Sequence, residues 1–342
     1  MERENAKRTY SRFGLSYVGM HWVYVLLYIL LLQVVKLICG ASYLPQTTTV
    51  IINFALRFAI IYPVMYLAVR SLPKFEIQKK KLGIGGFIAC YCISVALMYI
   101  SNLIGIFLNG LIGRLTGVGA VNPIFNVLGT MPPAMQIVVA AILAPIFEEL
   151  LFRKFLIDRT VKYGEVSAML LSGIMFGLYH GNLAQFVYAT TLGMFFAFIY
   201  IRTGKIRYTI AIHMLINGMS TYLSAFVLDL SVVKGIANAL SLGDLDTYSD
   251  LIYENFYSLL IILSFGLGLL VIAIIGIILM IVLRKKFTFE HHEGEIPKGE
   301  RFDVVMGNPG MIIYIFYWVL SIILMQFGIS ILEVIGKVLR II

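Results

Sequence analysis

Runs of about 20 consecutive apolar residues recur along this chain, and each is long enough to cross a bilayer as a helix. A segment inside lipid must satisfy its own backbone polar groups, so runs of this length fold as helices and not as open sheets. The composition agrees, because 60% of the 342 residues are hydrophobic and only 13% are charged. The sequence therefore predicts an all-α fold, a polytopic transmembrane helical bundle.

Hydropathy and turn residues predict nine spans. In order, they cover about 17–39, 50–69, 82–111, 133–157, 166–181, 183–201, 208–228, 255–283 and 310–332. The third span is rich in glycine and is expected to be tilted or broken. The polar residues of greatest interest fall in spans 4–7. The chain is accordingly divided into an N-terminal transmembrane region (1–130), a central core (131–228) and a C-terminal transmembrane region (229–342).

Positive charge follows the segments between the spans. The net charge is +9, and 21 of the 27 Lys and Arg residues lie in five segments that alternate spans place on one side. This distribution predicts a cytoplasmic N-terminus, and it indicates a topology signal and not a nucleic-acid surface. The polar loop before the last span, with His291 and His292, is interpreted as solvated. Arg57, inside span 2, is interpreted as a snorkelling or helix-paired residue.

One stretch of span 4, Ala144 to Arg153, carries two adjacent carboxylates and an arginine in an otherwise apolar run. Each ionisable residue at membrane depth costs roughly 2.5–3.5 kcal/mol on insertion scales, so it is a functional candidate. Glu149 and Arg153 are four residues apart, which places them on one helix face as an ion pair. Glu148 is rotated about 100° from Glu149 and faces elsewhere. Glu149 is therefore predicted to be structural and Glu148 to be free.

Two further pairs have the same four-residue spacing: Phe176 with His180 in span 5, and His213 with Asn217 in span 7. The lowest-cost arrangement turns these polar groups and Glu148 toward one interior. A carboxylate in an apolar site suits a general base acting on water. Histidine and amide side chains can then hold the water or stabilise an oxyanion. Together they make hydrolysis of an acyl bond within the membrane the leading hypothesis.

Other interpretations stay open. A single buried histidine is usually only hydrogen-bonded to a neighbour, and a buried carboxylate with histidines also suits a proton- or ion-coupled transporter. A non-catalytic immunity or scaffold protein of the same fold is a third alternative. Helix rise places Glu148 roughly 15 Å, Asn217 about 14 Å and His180 about 22 Å from the cytoplasmic ends of their spans. Span 5 is therefore expected to begin earlier, to tilt, or to enter a hydrated cavity.

The three motifs together, Glu148-Glu149-x-x-x-Arg153, Phe176-x-x-x-His180 and His213-x-x-x-Asn217, resemble the signature of the CAAX prenyl protease and bacteriocin-processing family, also called the Abi family. The resemblance covers about 131–228 and implies an intramembrane endopeptidase. It implies that Glu148 activates water, that His180 assists it, and that His213 and Asn217 stabilise the oxyanion. Glu149, Arg153 and Phe176 would support them.

The resemblance leaves metal dependence and substrate open. Members have been described both as glutamate proteases and as metalloproteases. Glu148, His180 and His213 could form an open zinc site, whereas Asn217 is a poor zinc ligand, so a mechanism without a cofactor is favoured. The expected partners are the lipid bilayer and a peptide or protein substrate, which would be a prenylated protein or a bacteriocin or pheromone precursor. The expected location is a bacterial plasma membrane.

Overall fold

The structure is a computed structural model that describes residues 2–40, 44–118, 131–223 and 230–339. Within these ranges the regular elements are helical and no strand occurs, which confirms the predicted all-α class. The helices are α1 (Glu2–Cys39), α2 (Gln46–Val69), α3 (Ile84–Thr116), α4 (Pro133–Tyr163), α5 (Glu165–Tyr179), α6 (Leu183–Thr203), α7 (Ile206–Tyr222), α8 (Leu230–Leu242), α9 (Leu245–Glu254), α10 (Phe256–Val282), α11 (Arg301–Val305) and α12 (Pro309–Leu339). The boundaries predicted between the three regions, at 130/131 and 228/229, involve residues outside these ranges.

Each predicted span coincides with a helix, and the protein is a multi-pass membrane protein. In the described part of the chain, seven helices are long and apolar enough to cross a bilayer: α1–α4, α6, α10 and α12. The other two predicted spans correspond to α5 and α7, which have 15 and 17 residues. The count of nine is therefore approximate, because these two helices are shorter than a full crossing requires.

The first helix begins earlier than predicted, and of the two alternatives for the third span, a tilt or a break, the break does not occur. The first helix begins at Glu2 and not near Tyr17, because Ala6, Tyr10 and Phe13 of the supposed tail are buried in the core. Packing thus extends the helix beyond its apolar run. The third helix is continuous over 33 residues despite its glycines, since isolated glycines cost a helix only about 1 kcal/mol each.

Glycines allow α5 and α6 to pack closely beneath the predicted site. A methyl group added at Gly177 would lie 2.8 Å from the carbonyl oxygen of Phe186, and one at Gly173 would lie 2.8 Å from that of Thr190. Such contacts leave no room for a side chain, so the two backbones approach as small residues permit in membrane helix pairs. This packing fixes the end of α5, and with it His180, against α6.

Charged contacts join the five basic segments at one end of the bundle. Lys162, at the end of α4, contacts Glu2 at 3.0 Å, and Arg3 contacts Asp303, before α12, at 2.8 Å. The segment after α2 meets the end of α6, where the Lys80 amide donates to the Thr203 carbonyl (2.9 Å). Arg202, in the last turn of α6, pairs with Glu290 at 3.1 Å. The five segments therefore share one side, as the alternation of spans requires.

The loop that carries His291 and His292 is not simply solvated. His292 Nε2 lies 3.2 Å from a carboxylate oxygen of Glu165, which begins α5 and is buried. Ile296, four residues further, is also buried, and its amide donates to the Tyr163 carbonyl at 3.1 Å. The interpretation as a solvated loop holds for His291, whose side chain is 83% exposed, but it overlooked apolar residues of the loop that pack on the bundle, such as Ile296 and Phe287.

Candidate active site

The helix that carries Glu148 changes its pitch twice around that residue. Two π-helical segments, Ile137–Leu143 and Leu150–Phe155, flank the α-helical turns of Ala144–Glu149. Widened turns of this kind inside α-helices are frequent at functional sites. In the first, the Ala144 amide donates to the carbonyl of Val139, five residues earlier. The next carbonyl in this register, Ala140, would be paired with Pro145, which has no N–H.

Asn217 of α7 supplies the donor that Pro145 lacks. Its side-chain Nδ2 donates to the Ala140 carbonyl at 3.1 Å. Because a carbonyl only accepts, this bond also fixes which way the Asn217 amide points. The amide has a second N–H, and the Asn217 side chain lines the cavity described below. The sequence predicted Asn217 as an oxyanion donor but did not predict this structural bond.

Glu149 lies at the centre of a buried polar cluster and is fully excluded from solvent, as is Arg153. Its Oε2 lies 3.2 Å from Arg153 Nε, the pair expected from their spacing. Its Oε1 lies 3.0 Å from Nδ1 of His213 on α7. Burial of an unpaired charge would cost several kcal/mol, so the three side chains stabilise one another. Glu149 therefore has no oxygen left for a substrate.

Arg153 is held by aromatic and backbone groups as well as by Glu149. One of its terminal nitrogens donates to the Gly193 carbonyl of α6 at 3.2 Å. Its guanidinium carbon lies 4.7 Å from the ring centroid of Phe176 and 5.5 Å from that of Phe196, within the range of cation–π attraction. Phe176 thus covers the cation, which is a physical reason for an aromatic residue at this position.

Glu148 faces a different side of α4 and stays partly accessible. Its side chain is 22% exposed, and its Oε2 lies 3.7 Å from Nε2 of His213, which is too long for a direct hydrogen bond. His213 therefore contacts both carboxylates, one with each ring nitrogen. Glu148 and Glu149 thus face different directions, as the rotation of about 100° between adjacent residues predicts. The imidazole of His213 contacts both because its two nitrogens point in different directions.

His180 ends α5 and stacks edge-on against Phe176, with ring centroids 4.8 Å apart. Its Nδ1 lies 2.8 Å from the Phe176 carbonyl oxygen. Since that oxygen can only accept, Nδ1 carries the hydrogen and Nε2 of the neutral ring is an acceptor. The same argument applies to His213, whose Nδ1 faces a carboxylate. The helix begins at Glu165, one residue before the predicted span.

Most of the predicted side chains line one cavity of about 920 Å³. Glu148, Phe176, His180, His213 and Asn217 all line it, whereas Glu149 and Arg153 lie behind its wall. Sequence reasoning missed several polar residues of the lining: His21, Asn53, Tyr179, Asn182, Gln185 and Tyr188. Single polar residues near helix ends carry no signal that separates them from ordinary interfacial residues. Arg57 also lines the cavity, and of the two expectations for it, snorkelling or pairing with another helix, its contact with Tyr24 of α1 agrees with the second.

The donor set does not fit a three-ligand metal site in this geometry. Among the described residues, no group of three or more His, Cys, Asp or Glu side chains is arranged to hold a metal ion. The 3.7 Å between Glu148 Oε2 and His213 Nε2 is near the spacing of two ligand atoms on one zinc ion, and a carboxylate on Nδ1 is common for metal-bound histidines. What the described residues lack is a third ligand arranged around the same point.

Comparison with known proteins identifies the region around this site. Residues 130–219 match the family model "Type II CAAX prenyl endopeptidase Rce1-like". The chain is 29% identical over 166 residues to the Bacillus subtilis (strain 168) protein named "Putative membrane peptidase YdiL", covering 45% of this chain and 64% of that protein. No solved structure matches the chain significantly. The resemblance to the CAAX prenyl protease family is therefore confirmed, and the matched region contains all seven residues of the three motifs.

Proposed function

We propose that this protein is an intramembrane endopeptidase in which Glu148 activates a water molecule for attack on a peptide carbonyl. One observation carries the proposal. Of the two adjacent glutamates, Glu149 is buried and paired with Arg153 and His213, whereas Glu148 lines the cavity. The match to a family of prenyl endopeptidases supports hydrolysis over transport, which the sequence alone left open.

The attack step requires a base, an acceptor and a peptide carbonyl. Glu148 and His213 Nε2 are 3.7 Å apart, a separation at which one water molecule can hydrogen-bond to both. In the proposed step a water proton passes to Glu148, and the resulting hydroxide forms a bond to the carbonyl carbon. The second O–H stays hydrogen-bonded to His213. His180 Nε2 offers a further acceptor from the cavity wall.

Collapse of the intermediate returns the proton. The free N–H of the Asn217 amide is the neutral donor available to the oxyanion, since the neutral histidines accept through Nε2. The C–N bond then breaks, and Glu148 gives its proton to the leaving amine.

A cleavage assay with purified protein tests the proposal. A panel of fluorescence-quenched apolar peptides identifies a substrate, and wild type is compared with Glu148→Gln. Loss of a general base lowers turnover about 10²- to 10⁴-fold, and the isosteric amide should leave folding intact. Glu76→Gln, on the exposed segment after α2, is the matched control and should match wild type. Full activity of Glu148→Gln would refute the mechanism.

The catalytic type and the orientation belong to the same proposal. We infer a metal-independent reaction with the N-terminus in the cytoplasm and a substrate that enters from the membrane or its cytoplasmic face. Prenylated proteins and bacteriocin or pheromone precursors are the substrate classes to test first. Activity should persist in EDTA after metal stripping, and a reporter fused to the N-terminus should report the cytoplasm. A chelator-sensitive rate restored by zinc would overturn the first inference.

A further inference from the structure

Arg57 of α2 lies in the wall of the cavity that contains Glu148. The neighbouring Phe58 stacks on Phe147, with ring centroids 4.7 Å apart, and Phe147 precedes Glu148. The guanidinium carbon of Arg57 lies 5.4 Å from the ring centroid of Tyr24. This arginine is therefore part of the same chamber as the candidate base, although it lies outside the segment that matches the family.

Arg57 has no carboxylate within 4.0 Å among the described residues, and its buried Nε has no hydrogen-bond partner there. Its side chain hydrogen-bonds to Tyr24, and the Glu148 carboxylate attracts it from a greater distance. Arg153 differs, because Glu149 lies 3.2 Å away. A cation at membrane depth without an anion is costly, and such residues usually serve a ligand or a partner.

The face of α2 around Arg57 is also unusual for a membrane helix. Gln46, Thr49, Asn53 and Arg57 follow one another at intervals of three or four residues, and all four line the cavity. Residues at this spacing share one helix face. The row offers amide and hydroxyl groups of the kind that bind a peptide backbone, and it ends at a guanidinium.

We propose that Arg57 binds a carboxylate of the substrate peptide, with the polar row of α2 holding the adjoining backbone. This inference rests on the proposed peptidase function and adds a specificity residue to it. Guanidinium and carboxylate groups form bidentate, charge-assisted hydrogen bonds. A carboxylate brings one negative charge close to the guanidinium, whereas a phosphate dianion would bring two into a cavity that already contains Glu148. The carboxylate is either the peptide C-terminus or an acidic side chain, and the test separates these sources.

The test compares two proteins, wild type and Arg57→Gln, on pairs of substrates that differ only in one carboxylate. The best peptide of the cleavage panel is made with a free C-terminus and with a C-terminal carboxamide, and any Asp or Glu in it is also replaced by the amide residue. Wild type and Arg57→Gln are assayed with each. We expect removal of the critical carboxylate to lower kcat/KM of wild type about 10- to 100-fold, mainly through KM. Arg57→Gln should lose as much on the acidic peptide and little on its amide.

The outcomes discriminate between this role and its alternatives. If wild type cleaves the acid and amide forms of every peptide equally, Arg57 does not bind a substrate carboxylate and the inference is wrong. If Arg57→Gln loses activity equally on every peptide, the arginine serves Glu148 or the fold, and the inference is wrong. If wild type cleaves nothing, the proposed function itself fails. Arg57→Lys should recover part of the preference for the acid. Arg70→Gln, directly after α2 and outside the cavity, should behave as wild type.

A binding measurement removes the dependence on turnover. In the Glu148→Gln protein, the acidic peptide should bind about 10- to 100-fold more tightly than its amide, as judged by displacement of a fluorescent peptide. Adding Arg57→Gln should remove that difference. Equal binding of the two peptides to Glu148→Gln would overturn the inference, whatever the catalytic variants show.

Discussion

The buried Glu149–Arg153 pair allows a quantitative prediction. Both side chains are fully buried, and the carboxylate also contacts His213 at 3.0 Å. Glu149→Gln leaves the guanidinium without its counter-charge, and removal of one partner of a buried pair costs about 3–5 kcal/mol. Arg153→Met leaves the carboxylate with His213 alone and should cost a similar amount. The double variant buries no unpaired charge and should lose no more than either single variant.

The coupling energy is the quantity to measure. The sum of the two single losses should exceed the loss in the double variant by at least about 3–5 kcal/mol, within the range found for close charge pairs. Reversible unfolding in mixed detergent micelles, followed by the fluorescence of the two tryptophans, gives the free energy of each variant. Losses that add to within about 0.5 kcal/mol would refute the assignment of Glu149 and Arg153 as mutual partners.

A surface pair provides the matched control. Arg3 and Glu300 lie 2.7 Å apart, but their side chains are 47% and 46% exposed. Their coupling should be below about 1 kcal/mol, because solvent screens exposed ion pairs. It should also fall as salt increases, whereas the coupling of Glu149 and Arg153 should not. A salt-sensitive coupling for the buried pair would indicate that water reaches it.

Two further predictions concern Asn217 and the packing of α5 on α6. Asn217→Leu should lower kcat about 10²- to 10³-fold through loss of an oxyanion donor. The same variant should also destabilise the protein, because the Ala140 carbonyl loses its donor. Adding Pro145→Ala restores an N–H for that carbonyl and should recover stability but not turnover. Recovery of both stability and turnover would contradict the catalytic role of Asn217. Gly177→Ala should cost about 1–3 kcal/mol of unfolding free energy, since its methyl group would meet the Phe186 carbonyl at 2.8 Å. Gly110→Ala, with nothing within 4 Å, should cost nothing, and equal losses would show that helix packing is not the cause.

Local periodicity was a reliable guide to the site. The four-residue spacing predicted that Glu149 meets Arg153 and that Phe176 stacks on His180, and both contacts occur. These predictions need only the geometry of one helix, which sequence specifies through residue order. The same geometry separated Glu148 from Glu149 and indicated which of the two would be free.

Contacts between helices were beyond the reach of periodicity. The double contact of His213 with Glu148 and Glu149 depends on the relative rotation of α4 and α7. The bond from Asn217 to Ala140 depends on a π-helical turn next to Pro145, a local widening that hydropathy does not register. Arg57 was interpreted as a snorkelling or helix-paired residue, and its position in the cavity wall was missed because its span was considered alone.

By itself, the sequence determined that this chain is a bundle of membrane helices, and it singled out seven residues in three motifs as the candidate site. Apolar length and helical spacing are properties of single segments, so both could be read in order along the chain. The tertiary structure alone decided that His213 lies between Glu148 and Glu149, and that an arginine from α2 lines the same cavity. Those relations depend on how helices distant in sequence pack, and side-chain packing is a property of the assembled fold.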